Sequence, residues 1–565
     1  MGNDTDRRLA LLRRTLTEQG LTREEPAAAP HPRRGGDTRY PLSSGQRRMW
    51  FLQQVDTGRV DLNVGVAMRL AGDLDADRLA RAVTAVAARH EILRTTYHAD
   101  ADGTPYQTVH AQPSLALAAG AGDGDGDGDG DGDGDGDGND LRPLAADARD
   151  LRVRAVAAAE FARPFDLARD APLRLTLLRT GELEHVLLLV AHHIAWDDEC
   201  WEPYFADLSQ AYRDGASASA TATASATAPA TAPATAPAPP AQYLDLAVLD
   251  PAALPDAATD AADLAYWRDV LAQSIEPLEL PGERATSAPA AAGGLAASAG
   301  ASGHCQVTVP AGAAAQVRTL ARSLRATPFA VLTAAFAALL HRVTGTGDLA
   351  VVTPVVDRRG RQAAGALGYF GNTLPLRIQV PATDSFQELV EHTRDVCAGA
   401  FAHQGIGLDR IVASALADRG GGLDRIARVG FGARSGAWTG LAVPGLRSER
   451  LDLHGAVAQL PFEVMAQPTG DDSWLLEATY QADVVSPRIA RQLLEQLVVL
   501  LDAAVHRPGT PSPTCPCSAS GAAPRCWASR PAAPSPSPRR RCPASSPSRP
   551  GAPRTPRRSS PPRAL

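Results

Sequence analysis

Four stretches of this 565-residue chain have almost no large apolar side chain, and they decide how much of it can fold. A Gly-Asp alternation occupies 122–138, an Ala/Ser/Thr/Pro run 215–240, an Ala/Gly run 287–303 and a Pro/Ser/Ala/Arg tail 511–565. Such segments bury too little to offset the entropy of ordering them. The three internal runs are therefore expected to be disordered surface loops, and the foldable part is shorter than the chain. Alternating Asp alone does not make a calcium loop, because the other ligand positions and a terminal Glu are missing. Residues 6–20 repeat leucine at helical spacing up to Gly20 and predict one short amphipathic helix, followed by a Pro/Arg/Gly linker to Asp37.

Charge narrows the function classes. The chain has no lysine, so every one of its 56 basic residues is arginine, a bias that fits a GC-rich bacterial gene. The tail holds ten arginines and no acid, so a formal charge of −7 overall becomes −17 over residues 1–510, eight of those negatives in the Gly-Asp run. A body of that sign is the wrong partner for nucleic acid. No stretch approaches the roughly 20 apolar residues of a membrane span, and the N-terminus lacks a signal-peptide core, so a cytoplasmic protein without membrane contact is expected. Only Cys200, Cys305 and Cys397 fall in the foldable body, an odd and widely spaced set that makes no disulfide framework. The four tail cysteines match no zinc spacing, and no metal site is expected.

The compact blocks alternate helix and strand. Asp75 to Arg89 places Leu79, Val83 and Val86 on one helical face, and the chain then runs extended from Leu93 to Tyr97. HVLLLVAHH (185–193) is an unbroken apolar run, the pattern of a strand covered on both faces. A helix carrying Trp201, Phe205, Leu208 and Tyr212 follows. Thr327 and Pro328 supply an N-cap and a first-turn proline for a long apolar helix ended by Gly345. Strands at Leu349–Pro354, Thr373–Val380 and Ser473–Ala482 and a helix from Pro487 to Ala504 complete a second half. Two α/β lobes of similar size are predicted, divided near 215–240.

The densest chemistry sits at the end of the 185–193 strand, in His192-His193-Ile194-Ala195-Trp196-Asp197-Asp198-Glu199. An imidazole that titrates near neutrality can take a proton from an attacking amine or orient a reacting group. A buried carboxylate beside it must find a cation or several donors, which makes it an organiser. The residues alone leave open a plainer reading, a histidine pair exposed in a loop with Asp197 capping the next helix.

HHIAWDD resembles the HHxxxDG motif of the condensation domains of non-ribosomal peptide synthetases. LSSGQRRMWFL (42–52) is similar to that family's SxAQxRMWxL, RHEILRTTY (89–97) to RHExLRTxF, and YLDLAVL (243–249) to YxDFAxW apart from its last aromatic. TPVVDR (353–358) resembles TPxxxR, and GYFGNT (368–373) resembles GxFVNT. These motifs keep the family's order from about 40 to 508. The resemblance implies an α/β fold of two chloramphenicol-acetyltransferase-like lobes in a V-shaped pseudo-dimer, with a tunnel between them and the histidine motif at its floor. The lobes would span 38–214 and 243–508, joined by a 215–242 linker, with a helix and linker at 1–37 before them and a disordered tail at 509–565 after.

The resemblance also implies the reaction. Donor and acceptor peptidyl carrier proteins, within or beside other synthetase modules, would present substrates on phosphopantetheine thioesters, with no cofactor bound by the domain itself. The acceptor amine attacks the donor thioester to give an amide. By motif position the catalytic set is His193, His192 and Asp197, with His193 the acting imidazole and His192 more structural. Arg358 supports Asp197, and Trp196, Asp198 and Asn372 line the substrate tunnel.

Three places depart from the family pattern. Asp198 replaces a glycine, placing a carboxylate beside His193 that would favour imidazolium unless a cation or local arginine neutralises it. HQGIGLD (403–409) replaces HQxxPFE, and DRIAR (424–428) is what remains of RDxSRNPL. These changes fit a specialised subtype, or a domain kept as a docking scaffold for a tailoring enzyme. A free-standing HxxxD acyltransferase using coenzyme A is the other alternative. The acid-free, cysteine-bearing tail reads as an out-of-frame translation of the gene, with a basic tail binding an acidic partner as its competitor.

Overall fold

The computed structural model describes residues 37–119, 139–222, 241–248, 257–283, 300–358, 363–381, 383–416, 422–434, 436, 439–453, 455 and 457–509. All of these lie in one compact unit within Met1–Gly521. The 6–20 helix, the Gly-Asp run and the 511–565 tail lie outside the described residues.

In the first half the elements are β1 (Thr38–Pro41), α1 (Ser44–Val55), β2 (Asn63–Ala71), α2 (Ala76–Arg89), β3 (Thr95–Ala99), β4 (Pro105–Val109), β5 (Leu117–Ala119), α3 (Ala146–Phe161), β6 (Leu173–Arg179), β7 (Glu184–His192) and α4 (Trp201–Ala222). Two short helices follow, α5 (Tyr243–Ala247) and α6 (Ala257–Val270). The second half holds β8 (Gly300–Val309), α7 (Ala311–Ser323), α8 (Pro328–Thr344), β9 (Asp348–Val356), β10 (Gly371–Gln379), α9 (Phe386–Ala402), α10 (Leu408–Leu416) and β11 (Val429–Ala433). It closes with β12 (Arg447–Leu451), β13 (Val457–Ala458), β14 (Phe462–Pro468), β15 (Trp474–Gln481) and α11 (Pro487–His506).

Three sheets result, in the orders β1-β4-β3, β12-β2-β7-β6-β5 and β10-β9-β11-β14-β15-β8-β13. β7 is apolar throughout because it runs between β2 and β6 in the middle of its sheet, with α3 packed against β2 and β7. From His185 to His192 every residue of it is buried. On α2 the predicted stripe Leu79, Val83 and Val86 is buried, and Asp75 accepts the Arg78 backbone N–H as N-cap. α8 is apolar around its whole circumference, since α7, α9 and α11 and the strands β9 and β11 all pack on it. Ala330 to Leu340 are accordingly all buried, and the predicted Thr327 cap, first-turn proline and left-handed Gly345 are present.

Four expectations are corrected. The 215–240 run is not loop from its start, because α4 continues to Ala222. That segment is rich in alanine and its first proline is Pro229, so helix propensity carries the turn onward. The Ala/Gly run ends in structure, since β8 begins at Gly300, where β13 and β15 pair with it. The extended stretch expected from Leu93 opens instead with a 3-10 turn over Glu91–Arg94. Finally, β12 belongs to the second half in sequence but pairs antiparallel with β2 in the first-half sheet, Glu449 opposite Arg69.

Candidate functional site

β7 delivers the histidine pair, and the chain then breaks into two 3-10 turns, His193–Ala195 and Asp198–Cys200. Strand alternation sends the two imidazoles to different sides. His192 is fully buried, its Nδ1 accepting the Ile194 N–H at 3.1 Å, so its Nε2 carries the hydrogen and donates to Gln53 Oε1 at 3.1 Å. Burial, with His193 and two arginines beside it, pushes its pKa down to about 3. Both ring nitrogens are spent inside the core, which corrects the grouping of His192 with the catalytic set: it holds the turn in shape.

His193 lines a cavity of about 1870 Å³ bounded by residues of both halves. Its Nδ1 donates to the Trp196 carbonyl at 2.8 Å, which leaves Nε2 unprotonated with its lone pair available. The edge of the ring meets Tyr369, 5.6 Å between centroids. Burial lowers the pKa of His193 below the ordinary histidine value, outweighing the Trp196 carbonyl, Asp197 and Asp198, which all raise it. The expected pull of Asp198 toward imidazolium is thus overcome, and Asp198 is itself engaged elsewhere.

Asp197 is buried at the heart of the loop. Its Oδ1 accepts from Arg358 Nη2 at 2.6 Å and from the Glu199 N–H at 3.1 Å, and its Oδ2 accepts from the Phe370 N–H at 2.9 Å. The capping role and the cation pairing that the sequence left as alternatives are both filled by one carboxylate. Arg358, two residues past β9, also donates to the carbonyls of Ala363 and Ala366 and lies over the Phe370 ring at 4.6 Å. The pair joins the histidine loop to the second half.

Of the residues expected in the tunnel wall, two are there and one is not. Asp198 lines the cavity and is gripped from across it by Arg434, which donates from Nε at 2.6 Å and Nη2 at 3.0 Å. Asn372 also lines it, but its amide is committed: Nδ2 donates to the Gln404 and Ile406 carbonyls, both at 2.8 Å, and Oδ1 accepts from the Thr373 N–H. Trp196 is the correction. Its side chain is fully buried against Trp201 and Tyr204 and does not reach the cavity, because the Trp196 backbone turns its carbonyl to His193 and its indole inward.

Two wall residues were missed. Tyr369 flanks His193 and its hydroxyl accepts from Arg48 Nη2 at 3.2 Å. Both stand inside quoted motifs, GYFGNT and LSSGQRRMWFL, so the signal existed, but nothing local says which side chain of a motif faces inward. Tyr243 closes the arrangement by accepting from Ser43 and donating to the Tyr369 carbonyl, 2.7 and 2.9 Å. Its ring passes so near Gly368 that a Cβ there would sit 2.1 Å from it, which is why that loop needs glycine.

A family model described as the condensation domain matches residues 37–515. An isonitrile lipopeptide synthase of Mycobacterium tuberculosis is 35% identical over 66% of the chain, which covers 13% of that protein. CymA of Salinispora arenicola, described as a probable non-canonical nonribosomal peptide synthetase, is 30% identical over 87% of the chain, which covers 6% of it. The chain thus spans a small part of these relatives. In a solved complex of the X-domain and OxyB from teicoplanin biosynthesis, the similar chain is 25% identical, with a TM-score of 0.66 over 88% of this chain and 99% of that one. The fold, the ordered motifs and the family match carry one conclusion: this chain belongs to the condensation domain family of non-ribosomal peptide synthetases.

Proposed function

We propose that this domain catalyses amide formation between a donor acyl thioester and the amine of an acceptor, both carried as phosphopantetheine thioesters on carrier proteins of neighbouring synthetase modules. The observation that supports it most is the state of His193: a neutral imidazole on the cavity wall, held by the Trp196 carbonyl in the tautomer with a free Nε2. In the proposed step the amine nitrogen attacks the donor carbonyl carbon, the C–S bond breaks, and the pantetheine leaves as a thiolate that takes up the proton lost by the amine. His193 Nε2 accepts the amine proton, or orients the nucleophile, as the C–N bond forms. Arg358, Asp197 and the Phe370 N–H keep the loop in place and do not touch the reacting atoms.

A cavity of about 1870 Å³ exceeds the volume of ordinary small-molecule pockets, consistent with two carrier-borne arms entering together. A second reading, a docking domain for a tailoring enzyme, draws on the X-domain bound to OxyB. The two differ in a direct assay with two loaded carriers. Wild-type protein is expected to make amide, and His193→Ala to lose on the order of 100-fold or more in rate with an unchanged melting midpoint. No amide from the wild type would favour docking, and efficient use of coenzyme A thioesters would favour the free-standing acyltransferase.

A further inference from the structure

One face of the seven-stranded sheet forms a wall of the cavity, and a single cross-strand row runs along it. Val352 on β9 stands beside Gly430 on β11, Gly430 beside Glu463 on β14, Glu463 beside Thr479 on β15, and Thr479 beside His304 on β8. Alternation along β14 puts Phe462, Val464 and Ala466 in the core and turns Glu463 and Met465 to the cavity. The Glu463 side chain folds over the bare backbone of Gly430, where an added Cβ would lie 3.0 Å from Glu463 Cγ.

The other sheltered carboxylates on the wall have arginines. Asp197 has Arg358, Asp61 has Arg59, and Glu477 has Arg450 at 3.4 Å and Arg434 at 4.0 Å. Asp198, more exposed, has Arg434. Glu463 has neither an ion pair nor a hydrogen bond among the described residues. Burial raises its pKa, and the charge of Asp198 adds to that. A half-buried carboxylate without a cation is unfavourable by itself and gains most from a positive partner. The space that such a partner can enter is the cavity that also holds His193.

We propose that Glu463 is a specificity-determining residue that receives a protonated nitrogen on the side chain of the substrate, so that the domain selects an aminoacyl group with a basic side chain. This rests on the reading of the cavity as the site for pantetheine-borne substrates. Stable pantetheine amides of ornithine and of norleucine, which differ by an ammonium against a methyl group, test it by calorimetric titration of the full chain. The wild type is expected to bind the ornithine amide at least about tenfold more tightly. Glu463→Gln, which removes an unpaired charge and keeps the shape, is expected to bring the two within about threefold while leaving the norleucine affinity unchanged.

Equal binding of both amides by the wild type, or a preference that survives in Glu463→Gln, would overturn the proposal. Equal weakening of both amides in the variant would do so as well, since the carboxylate would then serve a group common to all substrates. If neither amide binds the wild type, the reading of the cavity as a pantetheine site fails first and takes this inference with it.

Discussion

His192 and His193 are adjacent in sequence, yet one is enclosed in core and the other stands at the edge of a cavity. For His192 the difference is measurable as stability. Its native pKa is about 3, while an unfolded histidine titrates near 6.5, so below 6.5 the unfolded chain binds a proton that the native state refuses. Its contribution is complete above 6.5 and is lost as pH falls through the window down to about 3, at roughly 1.4 kcal/mol per pH unit. Denaturation midpoints taken between pH 7 and 4 should therefore fall steeply for the wild type and less steeply for His192→Gln. Parallel slopes would show that the imidazole is not held neutral. Asp198 is a different case at this scale: a motif reading gives it an unpaired charge, but Arg434 answers that charge from the opposite wall.

At the scale of the element, the two 3-10 turns after β7 depend on groups supplied by the segment between β9 and β10, the Arg358 guanidinium and the Phe370 N–H. The Asp197–Arg358 contact is the main one, with side chains only 3% and 6% exposed. Removing one partner of such a pair strands the other charge, at a cost of roughly 3 to 5 kcal/mol. Asp197→Ala should thus lower the urea midpoint and the melting temperature together with activity. Full stability with lost turnover would instead place Asp197 in the chemistry. The motif spacing of four between His193 and Asp197 was legible from sequence, and so was the match of Arg358 to the partner. What the spacing did not contain was that one carboxylate does both jobs, pairing with Arg358 and capping the turn at the Glu199 N–H, since the arginine arrives from more than 150 residues away.

For the whole molecule the halves are more interdependent than two separable lobes. The first-half sheet takes its edge strand β12 from residues 447–451, and Asp197, Asp198, Ser43 and Arg48 all bond residues beyond 242. A fragment of residues 38–242 is therefore expected to lack a cooperative thermal transition by circular dichroism, while the full chain shows one. A sharp, reversible transition in the fragment would establish an autonomous lobe. No single described helix is long and apolar enough to span a membrane, and the apolar α8 is buried among its neighbours.

The amino-acid sequence alone determined the alternation of helices and strands, the helix caps, the buried strand β7 and the order of motifs, because these depend on periodicity and on residues within a turn or two of one another. It also determined the family, since short motifs in a set order survive when most positions change. The tertiary structure decided which of two adjacent histidines faces the cavity, that Trp196 turns inward, that Arg434 neutralises Asp198 and that Glu463 is left without a cation. Each of these depends on groups brought together from positions more than a hundred residues apart or on which side of a sheet a side chain emerges. Local pattern contains neither, because burial and charge are properties of a neighbourhood that exists only after the halves have packed.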